Sequence, residues 1–247
     1  MPNLIKTSNP ALSAKTFDHD LAISGGVMTL QGPVNKTGIL IFCAIAAAAW
    51  TWHLALTQPA TVQAWMMVGL FAGLGLAFAT IFKKEWAPLT APLYAVCEGL
   101  ALGGISAVYN QAYHGIALQA LEATLGVAVI MLLLYTSGTL RATPRFALGV
   151  MAATGGIFLV YLLDMVLGFF GTQVPLLNSS GPAGILVSVV IVIIAALNLI
   201  LDFGFIETGV HAGAAKYMEW YGAFGVMVTL VWMYIEMLRL LSKANNR

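Results

Sequence analysis

Charge is what this sequence has least of. Only 9% of its 247 residues are Asp, Glu, Lys or Arg, while 60% are hydrophobic. A soluble domain carries about 25% charged residues, so an ordinary water-soluble globule is excluded before any motif is read. Cysteine is nearly missing too. Cys43 and Cys97 both sit inside apolar runs, suit neither a disulfide framework nor a metal cluster, and read as small packing residues. A formal net charge of +1 gives no basic surface for nucleic acid. HExxH, GxSxG, Walker A and strand-bound GxGxxG patterns are all lacking, and His53, His114 and His211 are scattered among span ends and a loop. Asp164 and Asp202 on facing helices carry no intramembrane protease motif, so no enzyme and no cofactor are expected.

What is present is apolar sequence of membrane-crossing length. A spanning helix needs roughly 20 mostly apolar residues. Seven windows qualify: 38–57, 63–82, 87–109, 116–137, 146–170, 182–206 and 217–241. Turn-forming and charged residues punctuate them, and Pro182 suits the first turn of the sixth span, where a missing amide hydrogen is harmless. Short connectors leave no room for a second domain. The expected fold class is therefore an all-α integral membrane protein of seven transmembrane helices, with residues 37–247 forming one bundle. Residues 1–36 read as a polar N-terminal cytoplasmic tail; with no basic start and apolar core, the first span is expected to serve as an uncleaved insertion signal.

Lysine and arginine fall on one side. Lys6, Lys15, Lys36, Lys83, Lys84, Arg141, Arg145 and Lys216 share the side of the N-terminus, which predicts a cytoplasmic N-terminus. Seven spans would carry the C-terminus to the other side, yet Arg239, Lys243 and Arg247 lie in the tail. A re-entrant last segment is the alternative. Gly69, Gly73 and Gly75 in the second span, and Gly99, Gly103 and Gly104 in the third, predict close helix approach.

The informative feature is acid without base. Glu98, Glu122, Asp164, Asp202 and Glu236 lie within the expected spans, and Arg239 is the basic residue expected among them. A charge at mid-membrane costs at least about 2.5–3.5 kcal/mol, so such carboxyls must hold a proton, share one or bind a cation. At about 1.5 Å per residue, Glu98 reaches mid-membrane, and Asn198 and Asp202, four apart on one helix face, reach a similar depth. Glu98, Asn198 and Asp202 are grouped as an inner-to-middle cluster, with Glu122, Asp164 and Glu236 in the outer half. Two such layers would form a carboxylate path for protons or cations, with Ca2+ held near Asp202 and Glu98. Competing readings remain at each position: Asp202 solvated at the inner interface, Glu122 and Asp164 interfacial, Glu236 tied to Arg239 three residues on.

Several segments carry a resemblance. Tyr94–Ser106 (YAVCEGLALGGIS), Leu201–Glu207 (LDFGFIE), Glu219–Phe224 (EWYGAF) and Leu230–Leu241 (LVWMYIEMLRLL) resemble the Bax inhibitor 1 (TMBIM) family. With Ser8-Asn9-Pro10 and Val34–Gly38 (VNKTG), they resemble its bacterial YccA-like branch. The resemblance implies six spans packed around a central last helix. It also implies a pH-sensitive calcium or other cation leak, gated by an acidic pair on the last two spans, in a bacterial plasma (inner) membrane. Asp202 takes the position of the first acid; the second falls around Met227 to Thr229, where no carboxyl stands. Glu98 is the expected substitute. The alternative is a non-conducting regulator that binds a membrane protease or stress-response partner, for which the polar tail is the motive.

Overall fold

The computed structural model describes residues 26–246. Residues 1–25, which hold Lys6, Lys15 and Ser8-Asn9-Pro10, and residue 247 lie outside the described residues. Those described form eight α-helices: α1 (Gln31–Thr57), α2 (Pro59–Phe82), α3 (Ala87–Ala112), α4 (Ile116–Thr136), α5 (Pro144–Phe169), the short α6 (Pro175–Asn178), α7 (Pro182–His211) and α8 (Met218–Asn245). All but α6 are long and apolar enough to cross a membrane, as the sequence predicts. Proline opens α2, α5 and α7, where the first amide hydrogens have no helical acceptor to lose.

Several helices run beyond the hydropathy windows. α1 begins at Gln31 rather than 38, so Asn35 and Lys36 are helical and the polar tail is shorter than expected. α7 continues to His211, and α8 to Asn245. Hydropathy follows apolar composition, whereas a helix continues through polar residues as long as its backbone hydrogen bonds do.

The most deeply buried helix is α8, the last, as the resemblance implies. α1, α3, α4 and α7 pack directly on it; α2 stands behind α1 and α3, and α5 against α7. Small residues make the tightest contacts. Gly99 and Gly103 lie on the backbone of Ala44 and Ala48 of α1, and Gly69 lies on the backbone of Cys97 and Ala101. Any side chain at these positions would push the helices apart. Gly75 differs from its neighbours: nothing stands within 4 Å of where its Cβ would be.

Lys36, Lys83, Lys84, Arg141, Arg145 and Lys216 all lie at one end of the bundle, at the start of α1 and the turns after α2, α4 and α7. α8 is continuous over 28 residues and ends at the other side, so it is not re-entrant. Lys243 near its end donates to Leu177 O of α6 at 2.7 Å, to Gly184 O of α7 at 3.2 Å and to Ser188 Oγ at 2.8 Å. The tail lysine that conflicted with seven spans is therefore a buried tie within the protein rather than a marker of side.

Candidate functional site

The site is a column of polar side chains along α8, rising from Glu219 through Thr229, Tyr234 and Glu236 to Arg239 and Lys243. Its lowest member is Glu219, fully buried. Its carboxylate accepts from Thr29 N and Thr29 Oγ1, both at 2.9 Å, from Lys216 Nζ at 2.8 Å, and from Lys36. Two cations compensate one buried carboxylate, and the segment before α1 is fastened to the start of α8. The isolated bridge between Val27 and Ala215 extends the same seam.

Ten residues on, about 15 Å at the helical rise, lies Thr229. Its hydroxyl donates to Asp202 Oδ2 of α7 at 2.6 Å, with Asp202 1% exposed. Asp202 is thus not solvated: it is buried between α7 and α8. The hydroxyl also sits 3.4 Å from Gly225 O, a second acceptor for its single hydrogen. Thr229 lies in the stretch, Met227 to Thr229, where the resemblance places a second acid and this sequence has no carboxyl.

Of the expected cluster, Asn198 and Asp202 lie four residues apart on α7, and Glu98 stands away from them. Glu98 turns to α2: its Oε1 stands 3.2 Å from where a Cβ on Gly73 would be, and it neighbours Tyr94. Asn198 turns to α5, donating to Thr154 Oγ1 at 2.9 Å as well as to Ile194 O at 2.8 Å. Asp202 turns to α8. Similar depth did not imply a shared face, because depth along a helix says nothing of the direction in which another helix's side chains point. Among the described residues, no three His, Cys, Asp or Glu side chains gather as metal ligands.

Toward the C-terminal end of α8, Glu236 is 2% exposed. The Tyr161 hydroxyl of α5 donates to its Oε1 at 2.6 Å, and Arg239 Nη1 lies 3.6 Å from the same oxygen. The Arg239 guanidinium also stacks over the Tyr161 ring at 4.9 Å. The tie between Glu236 and Arg239 is present, and Tyr161 completes it. Between the two layers, Ser106 and Tyr234 share a hydrogen bond of 2.6 Å across α3 and α8. Asp164 Oδ1 accepts from Val174 N at 2.7 Å and from Asn178 Nδ2 at 2.9 Å, which clamps the loop after α5. Glu122 is exposed on α4.

The contrast of acid without base needs correcting in one respect. Lys36 and Lys243 both fall within helices, outside the hydropathy windows, and Lys36 neutralises the buried Glu219. The Asp202–Thr229 contact differs in kind, since there a carboxyl meets a hydroxyl. A carboxyl and a hydroxyl can exchange donor and acceptor roles when a proton arrives.

A family model described as Bax inhibitor 1 like matches residues 9–246. No curated protein and no solved structure matches the chain.

Proposed function

The chain belongs to the Bax inhibitor 1 like family, and on that premise we propose that it is a pH-sensitive leak for calcium or another cation, gated by protonation of Asp202. The observation that carries this reading is the hydrogen bond of Thr229 to the buried Asp202 carboxyl. When ionised, Asp202 accepts the Thr229 hydrogen and offers negative charge at mid-bundle. When protonated, it gains a donor and loses its attraction for a cation, and Thr229 gains the option of accepting from it and turning its own hydrogen toward Gly225 O. Calcium takes six to eight oxygen ligands when held firmly; one carboxyl and its hydroxyl neighbour suit passage rather than storage.

In this reading the end carrying Lys36, Lys83, Lys84, Arg141, Arg145 and Lys216 faces the cytoplasm of a bacterial inner membrane, following the preference of lysine and arginine for that side. The test is cation flux into liposomes loaded with a calcium dye. Flux above that of empty liposomes is expected, falling as the pH is lowered, and Asp202→Asn should remove the pH dependence. Absence of flux at every pH, or an unchanged pH profile in Asp202→Asn, overturns the reading.

A further inference from the structure

α1 and α4 both pack on α8 but leave a slot between them. Two cavities, of about 370 Å³ and 680 Å³, are lined by both helices. They share Ile41, Leu125 and Leu230 and so form one groove. Along α1 it extends from Pro33 to Trp52, roughly 28 Å at the helical rise and close to the thickness of a hydrocarbon core. Its walls open sideways: Leu118 and Val129 on α4 line it yet are 61% and 56% exposed.

The polarity of this groove is one-sided. No charged residue lines its outer part. Its inner mouth is lined by Arg141 and Glu207, one of each sign. Arg141 is exposed, and the Glu207 side chain is half exposed while accepting a hydrogen bond from the Tyr135 hydroxyl. An apolar slot of this kind does not hold water well. In a bilayer it takes hydrocarbon.

We propose that the groove is a binding site for one membrane phospholipid whose headgroup carries both a phosphate and an ammonium. An acyl chain would lie along Ile41, Leu125 and Leu230. The guanidinium of Arg141 suits the phosphate, which it can grip with two parallel N–H donors, and the Glu207 carboxylate suits the ammonium. A purely anionic lipid would satisfy Arg141 but face Glu207, so the paired charges select the zwitterionic head. The placement between α1 and α4 would let the lipid brace two helices that barely meet directly.

The experiment is native mass spectrometry of the full chain after reconstitution into vesicles of equal phosphatidylethanolamine and phosphatidylglycerol. One phosphatidylethanolamine per chain is expected to survive release from the vesicle. Arg141→Gln and Glu207→Gln should each lower the retained fraction about five- to tenfold, as loss of one charge-assisted contact does. Gly38→Leu should lower it similarly: Gly38 lines the groove, and nothing stands within 4 Å of its Cβ position, so the added side chain has room. Should Gly38→Leu fail to fold, the exposed Arg141 still decides. Equal retention of both lipids, preference for phosphatidylglycerol, or no retained lipid overturns the proposal. Because lipid retention is read without flux, the outcome is independent of the leak assay.

Discussion

Thr229 Oγ1 lies 2.6 Å from Asp202 Oδ2, across the interface of the two most polar-bearing central helices, and both residues are buried. A hydroxyl there is as informative as a carboxyl would be, because it fixes which way the acid faces. Thr229→Val keeps the shape and removes the donor. Loss of a hydrogen bond to a buried charged or polar group costs about 1–3 kcal/mol. Thermal unfolding in detergent should show that loss for Thr229→Val and little of it for Thr229→Ser. Identical stability of the valine variant and the parent would mean the contact contributes nothing.

Glu98 stands against Gly73 of α2 and looks away from α8. It is therefore not the second acid of a proton-sharing pair with Asp202. Glu98→Gln should leave the pH profile of cation flux where it is, while Asp202→Asn flattens it. A profile displaced by Glu98→Gln would return Glu98 to the gate.

Glu219, itself buried, holds Lys36, Lys216 and Thr29 together. Removing one partner of a buried charge pair costs about 3–5 kcal/mol, because the remaining charge stays desolvated; here Lys216 is about half exposed and can relax into water, which places the loss toward the lower figure. Glu219→Gln should accordingly destabilise more than Lys36→Gln and Lys216→Gln, and the double variant Lys36→Gln/Glu219→Gln should recover part of the loss. A double-mutant cycle by chemical unfolding measures the coupling. Additive single effects would contradict the ion cluster.

How far the sequence carried the reading varies by residue. The seven spans and the packing glycines Gly99 and Gly103 were legible because each is a local property: run length, or a missing side chain where backbones meet; the central place of the last helix came from the resemblance. Asp202 was legible as a buried acid because charge in hydrocarbon is costly wherever it points. Thr229 was not, since a threonine in an apolar helix carries no signal of its own until a partner is placed beside it. Tyr161 and Glu219 were hidden for the same reason; their partners come from helices remote in sequence. Lys243 was misread because composition alone cannot separate a lysine in the headgroup layer from one turned inward onto carbonyls. The error over Glu98 came from treating depth as proximity.

Lys243 satisfies two backbone carbonyls and a hydroxyl at the outer end, where α6 and the first turn of α7 close over α8. Lys243→Met keeps the aliphatic stem and removes all three bonds, at about 1 kcal/mol or more in all, since Gly184 O keeps the helical amide four residues on. The segment between α5 and α7 should then become accessible to protease added from that side, while the membrane-embedded core stays resistant. Arginine should not restore protection, since its planar fork cannot meet three acceptors arranged around one ammonium. Unchanged proteolysis of Lys243→Met would assign the closure of this loop to Asp164 instead.

Gly99 and Gly75 make a matched pair for separating packing glycines from incidental ones. At Gly99 an added Cβ would collide with the carbonyl oxygen and Cα of Ala44, whereas at Gly75 it meets nothing within 4 Å. Backbone atoms cannot rotate out of the way as a side-chain tip can, so α1 must move off α3 to admit a side chain at Gly99. Gly99→Val should therefore lower the unfolding midpoint strongly or prevent accumulation of folded protein, and Gly103→Val should do the same at Ala48. Gly75→Ala should be neutral or stabilising by up to about 1 kcal/mol, the propensity gained on replacing glycine in a helix. Fluorescence-detected size exclusion across a temperature series reads all three variants. A Gly99→Val protein as stable as Gly75→Ala would show that α1 and α3 are held apart by more than the glycine backbone contact implies.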